Sequence, residues 1–403
     1  MSEPRLAAGD AELRYSTPMA TLSIVIPAYN EEDAIEAILT QCLAAREPIC
    51  RATGLSAVEV IAVDDGSRDR TRELAGKFGE AKLISHPVNR GYGAALMTGF
   101  DGASGDYLGF LDADGTCDPL AFIDLFKALV AAKADMSVGN RLHPGSKMPK
   151  IREAGNRFYA GIISWLTGVT VHDSASGMRI FSRGLLARLR PLPTGLHFTP
   201  AMTARAACMG SRIVETPIPY ADRQGQSKLN VVADGLRFLS VILGIIFAYF
   251  PLRLFGPLGI SFGLVALAYG AWPIRYYWDH HALLLPDMIP RLLTVVTLTV
   301  CGLTALAFGL LAQRLSDIAL RRPPGLLDSP ALRLGALASG GALILGGIAL
   351  NSRTIVEYAT TGTIQAPWVY VLVGGLCVIS GTVLVCFGVT LGIVNHLPRD
   401  KAA

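Results

Sequence analysis

The sequence predicts an α/β catalytic domain followed by an all-α membrane domain, and three observations support this prediction. In about the first 230 residues, apolar strand-like runs alternate with helical segments, as in a chain that forms a sheet covered by helices. Several of these runs end in acidic side chains. Beyond that point, four long stretches lack charged residues although 17% of the whole chain is charged, so the second half differs in kind from the first.

The strand-like runs of the first half lead into polar turns. The first run ends in Pro27-Ala28-Tyr29-Asn30-Glu31, the second ends in Asp64-Asp65-Gly66-Ser67, and a third precedes the glycine-rich segment Asn89-Arg90-Gly91-Tyr92-Gly93. Strands that alternate with helices predict a parallel sheet, and ligands bind such sheets beyond the carboxyl ends of the strands. We therefore expect these turns to lie together at one edge, with the glycines allowing close helix packing there.

A fourth apolar run, 107–111, ends in Asp112-Ala113-Asp114, which is the most informative motif of the chain. Two carboxylates one residue apart at a turn suit a divalent cation whose remaining ligands are diphosphate oxygens, because Mg²⁺ usually takes one or two carboxylates plus substrate phosphates. Asp112 and Asp114 are therefore candidate ligands of Mg²⁺ or Mn²⁺.

Taken in order along the chain, six motifs resemble those of the family 2 glycosyltransferases with a GT-A fold. Within that family the chain is most similar to the polyprenyl-phosphate (dolichol-phosphate-like) hexosyltransferases. The resemblance covers roughly residues 21–230 and thins beyond them. The matching motifs are Ile26-Pro27-Ala28-Tyr29-Asn30-Glu31, Val63-Asp64-Asp65-Gly66-Ser67, Asn89-Arg90-Gly91-Tyr92-Gly93, Asp112-Ala113-Asp114, Ser176-Gly177-Met178-Arg179 and Arg223-Gln224-Gly225-Gln226-Ser227-Lys228-Leu229.

The resemblance implies that the donor is a nucleotide-diphosphate sugar. In the family a loop closes over the donor, which assigns Arg223 and Lys228 to the diphosphate. The family often completes the metal shell with a polar side chain just after D-x-D, and Gly115-Thr116-Cys117 leaves that ligand open. The other residues that the resemblance places on the donor are Pro27, Ala28, Tyr29, Glu31, Asp64, Asp65, Asp112, Ala113 and Asp114.

The acceptor implied by the resemblance is a polyprenyl phosphate. A phosphate monoester with a second pKa near 6 is already largely dianionic at neutral pH, so it needs positioning more than deprotonation. Arginine suits this task because its fork binds phosphate oxygens at two points. Candidate acceptor residues are Arg141, which the resemblance favours, then Arg152, Asn156 and Arg157. Arg157 equally suits a snorkelling role at a membrane surface.

Asp173 lies in a D-x-x-S-G element and completes the predicted catalytic set of Asp112, Asp114, Arg141 and Asp173. The resemblance implies that Asp173 orients the sugar or the attacking phosphate; the alternative is an aspartate that caps a turn. The segment 195–200 is expected near the sugar, where His197 either contacts it or is a structural histidine.

The predicted domains are a polar tail 1–20, a GT-A domain 21–230 and a membrane domain 231–403. The apolar run 238–252, bounded by Arg237 and Arg253, is too short to span a bilayer, so 235–252 is predicted to be an interfacial helix. Segment 158–166 is either interfacial or a buried helix. Basic residues between the second and third spans and after the fourth place the catalytic domain in the cytoplasm. The four predicted spans lie near 254–274, 292–313, 334–352 and 368–394. Each is long enough to cross a bilayer, which requires ~20 apolar residues.

The predicted activity is metal-dependent, inverting transfer of one hexose, glucose or mannose, to polyprenyl phosphate on the cytoplasmic leaflet. Three alternatives remain: a processive polysaccharide synthase, transfer of another (amino)sugar, and a membrane scaffold or flippase-like protein. The Q-x-x-R-W element of processive synthases is absent. A net charge of +4 does not suggest nucleic acid as a partner, and seven scattered cysteines argue against a disulfide framework or a zinc site. The sequence is also compatible with a homo-oligomer.

Overall fold

The computed structural model describes residues 19–143, 146, 148–221, 231–280, 285, 288–320, 322–363 and 367–396. The chain divides into two compact units, Met1–Ile246 and Phe247–Ala403. Nearly all of the predicted polar tail lies outside the described residues, and so does the predicted donor-closing loop with Arg223 and Lys228.

The first unit is built on one seven-stranded sheet with the order β3-β2-β1-β4-β6-β5-β7. Helices follow most strands, as the alternating pattern predicted. The strands are β1 Thr21–Ala28, β2 Ala57–Asp64, β3 Lys82–Ser85, β4 Tyr107–Phe110, β5 Met136–Asn140, β6 Arg179–Ser182 and β7 Ile213–Pro217. The helices are α1 Ile35–Thr53, α2 Thr71–Ala75, α3 Tyr92–Gly102, α4 Phe122–Ala131, α5 Lys150–Thr167, α6 Arg183–Leu189, α7 Phe198–Cys208 and α8 Val231–Tyr249.

The sheet is mixed, which corrects the prediction of a parallel sheet. Strands β1 to β4 are parallel to their neighbours in the order β3-β2-β1-β4, but β6 runs antiparallel to both β4 and β5. Arg179, the first residue of β6, pairs with Phe110 and with Val138 near the ends of β4 and β5. Because β6 runs the opposite way, the turn that precedes it lies at the same edge as the carboxyl ends of the parallel strands.

Both faces of the sheet are buried under helices. Ile24 and Ile26 of β1 pack with α1 and α4 on one face, whereas Val25 packs with Phe100 of α3 on the other. This alternation follows from the two-residue period of a strand. Continuous apolar runs such as Ser23-Ile24-Val25-Ile26 are typical of strands covered on both sides.

Among its described residues, the second unit contains four helices long and apolar enough to cross a membrane, in agreement with the predicted all-α membrane domain of four spans. Each helix is longer than the uncharged stretch from which it was predicted, because the helical backbone continues into polar flanking residues. Before the first of these helices, α8 ends at Tyr249, and the next helix begins at Pro251. The interfacial position of 235–252 stays a prediction. The four helices are α9 Pro251–Asp279, α10 Ile289–Ala319, α11 Pro330–Thr361 and α12 Trp368–Asn395.

Helices α11 and α12 pack backbone to backbone through glycines spaced seven residues apart. Gly340 and Gly347 on α11 face Gly381 and Gly374 on α12. A Cβ added to Gly381 would lie 2.6 Å from the Gly340 carbonyl oxygen, and one added to Gly347 would lie 2.6 Å from the Gly374 carbonyl oxygen. Small residues allow this close approach, on which helix association in a bilayer depends.

We expect Gly381→Val to disrupt this helix pair, because its side chain would collide with the backbone of α11. Overpacking costs about 1–3 kcal/mol when the surroundings can shift, and here the obstacle is backbone. The thermal-unfolding midpoint of the detergent-solubilised protein should fall by several degrees. Gly375→Val on the same helix is the matched control, since a Cβ there meets nothing within 4 Å. Equal midpoints for the two variants would contradict the packing argument.

Candidate active site

A cavity of about 680 Å³ opens at the carboxyl edge of the sheet in the first unit. It combines the turns after β1, β2 and β4 with α5, the segment before α7 and the first turns of α8. Of the residues predicted from sequence, those that line it are Pro27, Ala28, Tyr29, Glu31, Asp65, Asp112, Ala113, Asp114, Arg141, Arg152, Asn156 and His197. Asp64, Arg157 and Asp173 do not line it.

The two aspartates after β2 have different surroundings. Asp64 is buried and its Oδ1 accepts a hydrogen bond from the Ser67 amide at 3.1 Å, so it closes the turn that follows the strand. Asp65 lines the cavity and accepts from the amides of Arg90 at 2.9 Å and Gly91 at 2.8 Å. Asp65 therefore ties the start of α3 to the end of β2, and the donor roles of both aspartates stay predictions.

His86 is a buried partner of Asp65 that sequence reasoning missed. Its Nδ1 lies 2.7 Å from Asp65 Oδ1, and its Nε2 lies 3.0 Å from Thr98 Oγ1 on α3. The ring thus connects the end of β3 to both the Asp65 turn and the helix behind it. A single histidine directly after a strand carries no pattern that predicts this contact.

The two predicted metal-binding carboxylates are each held by a hydroxyl group. The Tyr92 hydroxyl donates to Asp112 Oδ1 at 2.7 Å, and the Thr116 hydroxyl donates to Asp114 Oδ1 at 2.7 Å. The Thr116 amide also donates to Asp114 Oδ1, at 3.2 Å. The sequence left open whether a side chain after D-x-D completes a metal shell; in the structure, Thr116 hydrogen-bonds Asp114 through both its amide and its hydroxyl.

Tyr92 keeps its proton and so remains a donor. Burial, reinforced by the charge of the neighbouring Asp112, raises the pKa of the Tyr92 phenol well above its ordinary value. The tyrosine is the first residue of α3, and Gly93 beside it lies so close to the 193–194 backbone that an added Cβ would be 2.2 Å from the Pro193 oxygen. The glycine-rich segment therefore provides close helix packing, as predicted, and also aims Tyr92 at Asp112.

Arg141 and Asp173 form a two-point ion pair. Arg141 Nε donates to Asp173 Oδ2 and Arg141 Nη2 donates to Oδ1, both at 2.9 Å, and the Arg141 amide also donates to Oδ2 at 3.0 Å. Asp173 is fully buried. Burial alone would raise the pKa of Asp173, but the Arg141 charge and these hydrogen bonds outweigh it and hold the pKa below its ordinary value. Asp173 is therefore an ionised counter-charge beneath Arg141.

The other predicted acceptor residues on α5 separate into three roles. Asn156 is buried; its amide donates to Asp173 Oδ1 at 2.6 Å and its oxygen accepts from the Ser174 amide and hydroxyl. Arg152 lines the cavity beside Arg141. Arg157 lies on the exposed face of α5 and pairs with Glu153 at 2.7 Å. Only Arg141 and Arg152 thus bring positive charge to the cavity from this group.

His197 lies at the wall of the cavity, immediately before α7. Within the part of the chain that the structure describes, its ring makes no hydrogen bond or ion pair, unlike a histidine whose role is structural. Burial and the nearby Arg237 lower the pKa of His197, so its imidazole is neutral at pH 7. Both interpretations of this histidine therefore stay predictions, with its ring placed at the cavity wall.

The comparisons with known proteins all indicate a glycosyltransferase family. Residues 23–190 match the family model described as glycosyl transferase family 2. The dolichyl-phosphate hexose transferase of Haloferax volcanii is 36% identical over 216 residues, which cover 53% of this chain and 89% of that relative. The low-salt glycan biosynthesis hexosyltransferase Agl6 of the same organism is 33% identical over 227 residues. That match covers 55% of this chain, and the chain spans only about half, 53%, of the length of that relative.

Among solved structures, the glucosyl-3-phosphoglycerate synthase of Mycobacterium tuberculosis in complex with Mn²⁺, UDP and glucosyl-3-phosphoglycerate aligns with a TM-score of 0.46 at 23% identity. The alignment covers 61% of this chain and 86% of that one. The family assignment rests on the sequence matches, and the range 23–190 of the family model contains Asp65, Asp112 and Asp114 of the cavity. The chain belongs to the family 2 glycosyltransferases with a GT-A fold, and its relatives include polyprenyl-phosphate sugar transferases.

Proposed function

We propose that this enzyme transfers a single hexose from a nucleotide-diphosphate sugar to a polyprenyl phosphate on the cytoplasmic leaflet, with inversion at the anomeric carbon. The observation that carries the proposal is that one cavity contains both the Asp112 and Asp114 carboxylates and the oriented arginine Arg141. The first pair suits the diphosphate of a donor, and the arginine suits the phosphate of an acceptor. Glucose and mannose are equally compatible with the residues of the cavity.

In the proposed reaction, an oxygen of the acceptor phosphate attacks the anomeric carbon of the sugar. A carbon–oxygen bond forms there as the bond to the nucleotide diphosphate breaks on the opposite face. The acceptor is already ionised near neutral pH, so no side chain has to remove a proton from it. Arg141 holds the attacking phosphate in place, and Asp173 keeps the Arg141 fork in a fixed orientation. Holding both reactants in this geometry makes the reaction between them effectively unimolecular and so lowers its barrier.

The residues present fit a divalent cation at Asp112 and Asp114. Within the described ranges, no cluster of three His, Cys, Asp or Glu side chains forms a complete metal site. Two carboxylates alone suit Mg²⁺ or Mn²⁺ that takes its remaining ligands from the diphosphate. When bound, the ion would supply Lewis-acid stabilisation of the departing nucleotide. The two hydroxyls hold Asp112 and Asp114 in orientation for this role.

The direct test is an extraction assay with purified full-length protein, undecaprenyl phosphate, Mg²⁺ and a panel of UDP- and GDP-sugars that includes amino sugars. Lipid-phase mass spectrometry identifies the product. We expect one hexosyl phospholipid from one donor, and none when the nucleotide sugar is omitted. Long polymer without a lipid-linked sugar would favour a polysaccharide synthase. Intact donor across the whole panel, with no lipid product, would overturn the proposal.

The first unit also has a surface suited to a bilayer, which supports a lipid acceptor. Ile151, Phe158 and Trp165 lie seven residues apart along α5 and are 64%, 57% and 76% exposed. The opposite face of the helix buries Ala160, Ile163 and Leu166 against the unit. The segment 158–166, predicted as either interfacial or buried, thus has one buried face and one exposed apolar face, and the exposed face supports the interfacial interpretation. Exposed apolar residues beside basic ones favour binding in the headgroup region.

We expect the double substitution Phe158→Ser and Trp165→Ser to lower transfer to polyprenyl phosphate in liposomes by about tenfold, since two exposed apolar anchors are lost. Transfer to a short, water-soluble prenyl phosphate in detergent should change less than twofold. Leu120→Ser, at an exposed apolar residue away from α5, is the control. An equal loss with both acceptors would place the two aromatic residues in the chemistry or the folding of the unit instead.

A further inference from the structure

Arg179 is a completely buried arginine with no role in the reaction described above. It is the first residue of β6, and its side chain has no solvent exposure. Within the described part of the chain it makes no ion pair. Burial lowers the pKa of Arg179 to about 10, so it stays charged at neutral pH. A buried charge without a paired carboxylate is costly unless its donors are satisfied, which points to a specific use of this side chain.

All three nitrogens of the guanidinium bind the turn 173–177 or the helix behind it. Nε donates to the Ser176 carbonyl at 3.1 Å and Nη2 donates to the Ser174 carbonyl at 2.8 Å. Nη1 donates to the Thr203 hydroxyl on α7 at 2.7 Å, and that hydroxyl lies 3.0 Å from the Ser174 carbonyl as well. The planar fork therefore cross-links two carbonyls of one short turn and anchors them to α7.

The two ends of this turn contact the two halves of the cavity. At one end, Asp173 binds Arg141, the proposed acceptor-phosphate residue, at two points. At the other end, Gly177 lies against the predicted metal ligand Asp112. A Cβ on Gly177 would lie 1.9 Å from Asp112 Oδ2, so the backbone itself is in contact with the carboxylate. A change in the shape of the turn would therefore move Arg141 and Asp112 relative to each other.

We propose that Arg179 is a positioning residue that holds the turn 173–177 rigid, and that this turn fixes the acceptor arginine and the metal-binding Asp112 at one separation. The proposal rests on the proposed function, because it gives Arg141 and Asp112 their two substrates. It differs from an ordinary structural role in a measurable way. Loosening the turn should weaken metal binding and acceptor use together, whereas loss of Arg141 alone affects only the acceptor.

The test compares Arg179→Lys with Arg183→Lys. Lysine keeps the charge but lacks the planar fork that reaches three acceptors. Arg183 is the matched control because it also binds loop carbonyls, those of Ala103 and Gly105, but at the opposite edge of the sheet. For Arg179→Lys we expect kcat/KM for polyprenyl phosphate to fall by about 10²-fold, as for a small misplacement of reacting groups. Arg183→Lys should stay within about threefold of wild type.

Two readouts do not depend on activity. Mn²⁺ affinity, followed by electron paramagnetic resonance in the presence of UDP, should weaken at least fivefold in Arg179→Lys and stay unchanged in Arg183→Lys. Hydrogen exchange should accelerate in peptides that cover 173–178 and at the Arg141 amide, which donates a hydrogen bond to Asp173 Oδ2. Thr203→Val, which removes one contact of Arg179, should give a smaller change of the same kind. If Arg179→Lys does not fold, Thr203→Val takes its place in the comparison.

Wild-type Mn²⁺ affinity and wild-type exchange in Arg179→Lys would overturn the inference, and so would losses equal to those of Arg183→Lys. A variant that loses acceptor use but keeps Mn²⁺ affinity would also overturn it, because the turn would then serve Arg141 alone. If wild-type protein forms no lipid product with any donor, the proposed function fails instead. The Mn²⁺ titration and the exchange at 173–178 and Arg141 then still decide whether Arg179 fixes both ends of the turn.

Discussion

Asp114→Asn should abolish sugar transfer while leaving the catalytic unit folded. The amide oxygen can still accept from the Thr116 amide and hydroxyl, which Asp114 Oδ1 accepts in the structure. The negative charge that would bind the cation is lost, however. A Lewis acid supplies several kcal/mol of transition-state stabilisation, so we expect kcat to fall by about 10³-fold or more with saturating Mg²⁺. The lipid-product assay measures this loss.

Asp114→Ala separates the two roles of this carboxylate. It should be as inactive as Asp114→Asn but less stable by about 1–3 kcal/mol, because the buried Thr116 donors lose their acceptor. Asp118→Ala is the control for both variants: Asp118 is exposed, four residues along the chain, and its side chain accepts from the Leu120 amide. Substantial turnover by folded Asp114→Asn with Mg²⁺ present would remove Asp114 from the metal site.

Much of the fold and of the cavity could be predicted from local patterns. The alternation of apolar runs and helical segments predicted the α/β class, and the uncharged stretches predicted the four membrane helices. The acidic turns after β1, β2 and β4 were expected together because parallel strands end at one edge. Asp112 and Arg141 accordingly line one cavity.

The remaining features depend on contacts between residues far apart in sequence. Strand β6 has only four residues, Arg179–Ser182, and such a short run gives no signal for its direction. Its antiparallel course nevertheless brings the turn 173–177 to the site. The Tyr92 hydroxyl reaches Asp112 across 20 residues, and Asp173 reaches Arg141 across 32. The motifs identified Asp112, Arg141 and Asp173 as candidates and placed Tyr92 in a segment for close helix packing, but they could not show which of these residues bind each other.

The second large effect is expected for substitutions of the Arg141–Asp173 pair, which should change stability and activity differently. Asp173→Asn leaves the Arg141 guanidinium in a nearly buried position without its counter-charge, and removal of one partner of a buried pair costs about 3–5 kcal/mol. Arg141→Ala similarly leaves Asp173 unpaired. The double variant Arg141→Ala/Asp173→Asn removes both charges, so its free energy of unfolding should recover part of the loss. None of the three should use polyprenyl phosphate efficiently, and Arg141→Ala should retain donor binding.

The pH dependence of unfolding tests the charge state of Asp173 independently of catalysis. Its pKa in the folded protein lies below the ordinary value, so the unfolded chain binds this proton more readily than the folded one. The pair therefore stabilises the protein fully above the ordinary aspartate pKa of about 3.9, and this stabilisation is lost as the pH falls through the lower folded value. Denaturant titrations below about pH 5 should show a smaller acid-dependent loss in Asp173→Asn than in wild type. If the free energy of unfolding fell equally with pH in both proteins, Asp173 would not be the ionised partner of Arg141. Asp173 would then carry a proton that could take part in the reaction.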